Sequence, residues 1–141
     1  MKQELVSDWM TRDVITIAPE TSLKEAHDIM NSKKIRRLPV VMQGKVVGIV
    51  TLGDIRGAEP SKASSLSVWE MNDLLANLKV SEIMTHSPAT IHENESIGDA
   101  AKIMLEKKFS SLPVVDAAEH LVGIITESDI FRLVVSEWRK E

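Results

Sequence analysis

The spacing of apolar residues changes along the chain and marks a series of predicted elements. Apolar residues recur at helical spacing over 23–30, behind Ser22-x-x-Glu25, a pattern typical of a capping box that opens a helix. Two runs rich in Val, Leu and Ile follow at 38–41 and 46–51. Because the residues between them include Gln-Gly, the two runs predict a β-hairpin.

Two further elements complete this pattern. A strand is predicted at 14–17, before the helix, and a second helix is predicted to begin near Asp54. The hairpin runs are almost continuously apolar rather than alternating, so we expect strands that are buried on both faces. The resulting order is strand, helix, strand, strand, helix.

The same pattern occurs twice. The sequence Leu-Pro-Val-Val at 38–41 recurs at 112–115, and Gly-Ile-Val-Thr-Leu-Gly-Asp at 48–54 recurs as Gly-Ile-Ile-Thr-Glu-Ser-Asp at 123–129. The second copy contains one extra residue between 116 and 120, in the predicted hairpin loop, where insertions are tolerated. The chain is therefore a tandem duplication.

We predict an α/β (α+β) fold in which two β-α-β-β-α repeats, 6–57 and 79–134, pack through their sheets with pseudo-two-fold symmetry, because one repeat alone would bury too little apolar surface. Residues 58–78 are predicted to be a connector that ends in an amphipathic helix, and 135–141 to be the end of a C-terminal helix. The apolar faces of the connector helix and of the C-terminal helix suggest a homodimer. The alternative is that both faces cover the core of the same chain.

Composition narrows the classes of protein. The chain has 141 residues, 43% of them apolar and 27% charged, as in a soluble globular protein. It contains no cysteine, which excludes disulfides and thiol chemistry. No apolar run is long enough to span a membrane, and the N-terminus lacks the apolar run of a signal peptide, so we expect a cytoplasmic protein. A net charge of −4 argues against nucleic-acid binding.

No catalytic or metal-binding motif stands out. The four histidines are spread singly, without the spacing of a helical metal pair, and there is no nucleophile elbow, phosphate-binding loop or dinucleotide turn. We therefore expect neither an enzyme nor a metal site.

The repeated Thr-x-x-Asp motif, Thr51 to Asp54 in the first copy, has two interpretations. The first is a capping box. The second is a nucleoside site, in which the carboxylate accepts two ribose hydroxyls. Taken alone, the motif favours capping. Hairpin pairing would, however, bring Arg36 and Arg37 close to it, and guanidinium groups bind phosphate. Together with Lys33 these cations could also be a solvated helix end.

The motifs that recur in the two repeats resemble those of a known family. Each repeat resembles a CBS domain and the pair resembles a Bateman module, on the basis of Met-Thr at 10–11 and 84–85 and the two repeated motifs described above. The segment 64–75 resembles the connector of the acetoin-utilisation (AcuB-like) branch. We expect a stand-alone pair, without the further C-terminal regulatory domain that this branch often carries.

The resemblance implies a regulatory module that senses AMP, ADP, ATP or S-adenosylmethionine, non-covalently, in clefts between the two repeats. Carried over by position, the ribose would be held by Asp54 and Asp129, with Thr51 and Thr126 at ribose or phosphate. The base would be bounded by two sets of residues, Thr16, Ile17 and Pro39 in one copy and Thr90, Ile91 and Pro113 in the other.

In the first copy, phosphate would be met by Arg36 and Arg37. The second copy has Ser110 and Ser111 in place of these arginines, which suits a neutral or cationic adenosine derivative, or an empty cleft, equally well. The alternative function is an oligomerisation or protein-interaction module with vestigial clefts. In either case the regulated protein partner is not identified by the sequence.

Overall fold

The computed structural model describes residues 4–59 and 67–140. In chain order, the elements are α1 (Val6–Trp9), α2 (Leu23–Lys33), β1 (Arg37–Met42), β2 (Lys45–Thr51), α3 (Leu52–Ala58), α4 (Val68–Asn77), a 3-10 turn (Val80–Glu82), β3 (Thr85–His86), β4 (Ile91–His92), α5 (Ile97–Lys107), β5 (Ser111–Val115), β6 (Leu121–Thr126) and α6 (Glu127–Arg139). The fold class, α+β with helices and two three-stranded sheets, is confirmed. Most of the predicted connector before α4, and Glu141, lie outside the described residues.

The chain divides into two compact units that do not coincide with the sequence repeats. The first unit is Ile15–Pro88, and the second consists of the described residues up to Val14 together with those from Ala89 onward. The opening segment of each repeat therefore belongs to the other repeat's unit. Backbone hydrogen bonds hold these segments: the Val80 N–H donates to the Thr21 carbonyl at 2.8 Å, and the Val6 N–H donates to the Glu95 carbonyl at 2.8 Å.

The first unit is built on the sheet β1-β2-β3, in which both pairings are antiparallel. Gln43 and Gly44 connect β1 to β2, with φ angles of 52° and 81°. A two-residue hairpin turn of type I′ requires positive φ at both positions. The turn was therefore predicted correctly, and it sets the register as far as Val41. Between Val41 and Val40 an irregularity shifts the pairing by one residue.

The second unit repeats this arrangement in the sheet β4-β5-β6, with β4 parallel to β5 and β5 antiparallel to β6. The predicted loop insertion lies between β5 and β6. There the carboxylate of Asp116 accepts the N–H of His120 at 3.0 Å and the N–H of Ala118 at 2.9 Å. The bond from His120, followed by that from Ala118, holds the pKa of Asp116 below its ordinary value.

Three helices begin directly after the serines that the sequence predicts as N-caps. The hydroxyl oxygen of Ser22 accepts the N–H of Glu25 at 3.1 Å, and Ser96 caps α5 in the same way. Ser67 caps α4, again at 3.1 Å. A short polar side chain in front of an apolar stripe determines these boundaries locally.

Two predictions about strands need correction. The predicted strand at 14–17 reduces to a single parallel bridge between Ile17 and Val40. Burial on both faces holds for β5, where every residue is buried, but β2 alternates between buried and half-buried residues. The alternation arises because one face of β2 is covered less completely than the other.

Each unit has its own apolar core. The first core contains Leu23, Leu38, Val50 and Ile55, none of them exposed. The second contains Val6, Ile97, Leu112 and Ile125. The packing of both units is thus defined by large apolar side chains from the helices and from the middle of the strands. Among the described residues, no helix is long and apolar enough to cross a membrane.

The repeated glycine of the hairpin is required by a methionine that packs on it. A Cβ added at Gly48 would lie 2.3 Å from Sδ of Met84, and one added at Gly123 would lie 2.5 Å from Sδ of Met10. At Gly123 the carbonyl oxygen of Thr11 is also only 2.9 Å away. The methionine of each Met-Thr motif therefore packs directly on the glycine of the other repeat's hairpin strand.

We expect Gly48→Ala to destabilise the protein by about 1–3 kcal/mol, because the buried Met84 side chain must move. Gly57→Ala is the matched control: nothing lies within 4 Å of its added Cβ, and alanine should stabilise α3 by about 0.5–1 kcal/mol. Urea denaturation of both variants gives the two free energies of unfolding. Equal effects at Gly48 and Gly57 would contradict the close-contact account.

Candidate functional site

The two Thr-x-x-Asp motifs form capping boxes at the starts of α3 and α6. The hydroxyl oxygen of Thr51 accepts the Asp54 N–H at 3.0 Å, and Oδ2 of Asp54 accepts the Thr51 N–H at 2.9 Å. Thr126 and Asp129 make the same two bonds, at 3.3 and 2.9 Å. The capping interpretation is thus confirmed for both copies. Each box uses only Oδ2 of its carboxylate.

The second carboxylate oxygen distinguishes the two copies. Oδ1 of Asp129 accepts a guanidinium N–H of Arg132, and the side chain of Asp129 is only 1% exposed. Asp54 is half-buried, and within the described part of the chain its Oδ1 has no hydrogen-bond donor. Asp54 can therefore accept hydroxyls from a ligand while it caps α3, whereas Asp129 is already occupied.

Removing the two carboxylates should have unequal effects on stability. Asp54→Ala should cost about 1 kcal/mol, the value of a helix cap. Asp129→Ala should cost about 2–3 kcal/mol, because it removes a buried carboxylate that accepts hydrogen bonds from both Thr126 and Arg132. Thermal unfolding followed by circular dichroism compares the two variants. A larger loss at Asp54 would show that burial does not set the cost.

The hairpin brings the arginines to the first capping box, as the sequence predicts. Arg37 pairs with Thr51 across β1 and β2, and the Leu52 N–H donates to the Arg36 carbonyl at 2.8 Å. These bonds border a cavity of about 260 Å³. It is lined by Arg36, Arg37, Thr51, Leu52, Gly53 and Arg56.

Arg56 was missed by the sequence reasoning. It lies in the last turn of α3, three residues after Gly53 and therefore on the same helix face. That spacing is the signal that could have identified it. Three arginines, rather than two, thus line one cavity.

The second unit has the same backbone at this place with different side chains. Ser111 pairs with Thr126, and the Glu127 N–H donates to the Ser110 carbonyl at 3.1 Å. Phe131 occupies the position that corresponds to Arg56, and it lines an apolar cavity of about 430 Å³ beside α5. Serines thus stand where the first unit has Arg36 and Arg37, and the cavity is lined by one cation, Lys108, and one carboxylate, Glu127.

The residues expected to bound the base lie beside the same strands. In the first unit, the Ile17 N–H donates to the Pro39 carbonyl at 3.1 Å. In the second unit, Ile91 pairs with Val114, next to Pro113. These apolar side chains, however, are buried.

Both isoleucines belong to the cores of their units, with Ile17 7% and Ile91 1% exposed. Their side chains therefore stabilise the fold, and their contact with a base stays a prediction. The preceding residues differ, because Thr16 is exposed and Thr90 is half-buried. Within each expected base-binding segment, the threonine is the residue that a ligand can reach.

No metal cluster accompanies these sites. Across residues 4–59 and 67–140, no group of three or more His, Asp or Glu side chains is placed to hold a metal ion.

The sequence pattern of the CBS domain matches the chain twice, at residues 6–61 and 80–136. The chain therefore belongs to the CBS domain family and is a tandem CBS pair, which confirms the resemblance. A CBS pair is a regulatory module and not a catalytic domain. The AcuB-like branch within the family stays a prediction.

Solved structures of CBS pairs resemble the whole chain. The CBS pair of protein MJ0100, in complex with 5′-methylthioadenosine and S-adenosyl-L-methionine, is 35% identical, with a TM-score of 0.77, and the match covers 96% of this chain and 99% of that one. CBSX2 in complex with AMP is 30% identical, with a TM-score of 0.78 and coverage of 94% and 96%. AcuB from Vibrio cholerae is 29% identical, with a TM-score of 0.79 and coverage of 98% and 95%.

Several relatives are longer proteins. Inosine-5′-monophosphate dehydrogenase of Korarchaeum cryptofilum is 37% identical over 87% of this chain, which spans only 23% of the enzyme. Protein MJ1225 of Methanocaldococcus jannaschii is 33% identical over 93% of the chain, which spans 47% of that protein. The chain thus corresponds to about half or less of these relatives.

Proposed function

We propose that this CBS pair is a regulatory module that binds an adenosine nucleotide, mainly through its first unit. The observation that carries the proposal is the Asp54 carboxylate, whose Oδ1 is open to a ligand next to a cavity lined by arginines. Solved CBS pairs of similar sequence hold AMP or S-adenosyl-L-methionine, which supports an adenosine ligand here.

In the proposed complex, Oδ1 of Asp54 accepts the ribose hydroxyls while Oδ2 keeps the cap on α3. The phosphate lies against Arg36 and Arg37, whose planar groups can donate two hydrogen bonds each to phosphate oxygens. A nucleotide would regulate by favouring one arrangement of the module, to the extent that it binds that arrangement more tightly. The module would act on a regulated protein partner, and we place the module in the cytoplasm.

Calorimetric titration with AMP, ADP, ATP and S-adenosylmethionine tests this function. We expect at least one nucleotide to bind, with a stoichiometry of one per chain because Asp129 is occupied by Arg132. The alternative, an interaction module with vestigial clefts, predicts no heat and no thermal shift with any of the four compounds. That outcome would overturn the proposal.

Asp54→Ala separates the ribose contact from the cap. We expect nucleotide affinity to fall at least tenfold, since a charge-assisted hydrogen bond to a ligand is lost. Ser22→Ala is the control in the same unit, because it removes one capping hydrogen bond from the start of α2 without changing the cavity. Unchanged affinity in Asp54→Ala, or equal losses in both variants, would show that Asp54 does not hold ribose.

A homodimer is the second part of the proposal, and α6 is its expected interface. Phe131, Val134, Val135 and Trp138 recur at i, i+3, i+4 and i+7, and are 46–73% exposed. We call these four residues the α6 stripe. An exposed apolar face of this length indicates a partner.

Charge along α6 favours a second copy of the same chain as that partner. Glu127 lies at the start of the helix, whereas Arg139 and Lys140 lie at its end. Two α6 helices packed antiparallel would place the acidic start of one beside the basic end of the other. A two-fold interface requires this kind of self-complementarity.

We expect Val134→Glu to convert the dimer into a monomer, because it buries a charge in the α6 stripe. Met42→Glu, which changes a similarly exposed residue of the β1–β2 hairpin, should leave the dimer intact. Sedimentation velocity gives the oligomeric state of both variants.

Glu127→Arg should weaken the dimer, and the double variant Glu127→Arg with Arg139→Glu should restore it. A wild-type protein that sediments as a monomer would refute the interface.

A further inference from the structure

The cavity between α5 and α6 in the second unit has no part in the proposed nucleotide site. We infer that it binds a free amino acid with a large apolar side chain, whose carboxylate meets Lys108 and whose ammonium group meets Glu127. This inference is independent of the nucleotide proposal, because the residues that carry it line a different cavity.

The size and the lining of the cavity suit a small ligand with an apolar body. Its volume of about 430 Å³ lies toward the lower end of the range of roughly 300–1,000 Å³ that is usual for small-molecule sites. Apart from one lysine and one glutamate, the lining consists of Ala101, Met104, Leu105, Phe109, Ile130 and Phe131. The greater part of a ligand held here would therefore contact apolar side chains.

Several of these apolar side chains are exposed to water. Leu105 is 81% exposed, Phe131 62% and Phe109 42%. Covering apolar surface is favourable, and an exposed apolar patch bordered by charges marks an interaction site. An apolar ligand side chain between α5 and α6 would remove part of this surface from water.

Two opposite charges define the polar groups of the ligand. Lys108 is the C-cap residue of α5, and Glu127 is the first residue of α6. Within the part of the chain that the structure describes, neither side chain has an ion-pair partner. A fatty acid or an alkylamine would satisfy only one of them. A zwitterionic amino acid satisfies both and carries its apolar side chain beside the two charges.

The backbone holds the two charged residues at one cavity. Lys108 has a left-handed conformation, with φ of 60°, and its N–H donates to the Met104 carbonyl. The Phe109 N–H donates to the same carbonyl at 3.0 Å, and the Glu127 N–H donates to the Ser110 carbonyl at 3.1 Å. These bonds end α5 and connect the following residues to the start of α6, so both charges border the cavity from separate helices.

The first unit shows that the fold does not require this lining. Asn31 stands where the second unit has Leu105, and Leu52 stands where it has Glu127. The backbone at this place is nevertheless similar in the two units, because the Leu52 N–H also donates to the carbonyl of the residue before the first hairpin strand. The apolar lining with its two opposite charges is thus a property of the second unit alone.

Calorimetric titration with L-leucine, L-methionine and L-phenylalanine tests the inference. We expect at least one of the three to bind, with a stoichiometry of one per chain, and L-serine not to bind. For leucine, the analogues isocaproate and isoamylamine lack the ammonium group and the carboxylate. Each should bind roughly three- to tenfold more weakly, since it loses one charged contact. Failure of all three amino acids to bind would overturn the inference.

Variants of the two charged residues assign the groups of the ligand. Lys108→Gln should weaken leucine and isocaproate roughly three- to tenfold and leave isoamylamine within twofold, and Glu127→Gln should do the reverse with the two analogues. Lys107→Gln and Glu106→Gln are the matched controls, because they change exposed charges of α5 that do not line the cavity. Losses in the controls as large as those in the cavity variants would contradict the assignment.

A second copy of the chain is the competing occupant, because Phe131 also belongs to the α6 stripe. Ala101→Leu fills the cavity and should abolish amino-acid binding without unfolding α5, since leucine favours helices. Val134 does not line the cavity, so Val134→Glu should bind amino acids as the wild type does. If no amino acid binds and Ala101→Leu instead weakens the dimer, the second copy covers the cavity and the inference fails.

Discussion

The register of the β1–β2 hairpin is the constraint on which the candidate site depends. The turn at Gln43 and Gly44 begins the pairing, and an irregularity between Val40 and Val41 shifts it by one residue, so that Arg37 pairs with Thr51 beside the carboxylate that caps α3. Slipping by one residue would turn every side chain of a strand to the opposite face. The turn and the irregularity together therefore determine whether the arginines and Asp54 lie close enough to act on one molecule.

A second constraint is the exchange of opening segments between the two repeats. Each unit is completed by the opening segment of the other repeat, and the contact is made where a methionine packs onto a glycine of the hairpin strand. Neither repeat as defined by sequence contains all the parts of a unit. The duplication thus explains why the two motifs occur in both copies, since each copy supplies one half of each contact.

The two units show how one backbone can support different chemistry. The capping box, the strand pairing and the bond from the first residue of the helix are the same in both units. Arg132 occupies the free oxygen of Asp129, and no equivalent contact is made by Asp54 among the described residues. The carboxylate caps a helix in both units. Only in the first unit does it keep an oxygen, Oδ1 of Asp54, that can accept hydrogen bonds from a ligand.

The sequence by itself determined the duplication, the helix caps, the β1–β2 turn and the approach of the arginines to Thr51, because all of these follow from the repeat, local propensity and short-range pairing. It did not determine the one-residue shift between Val40 and Val41 that pairs Arg37 with Thr51. It did not determine the composition of the two units, since the exchange of opening segments depends on contacts between residues as distant as Gly48 and Met84. Nor did it show that Ile17 is buried in a core or that Arg56 completes a cavity. Burial and the convergence of side chains from separate elements are properties of packing, so only the tertiary structure decided them.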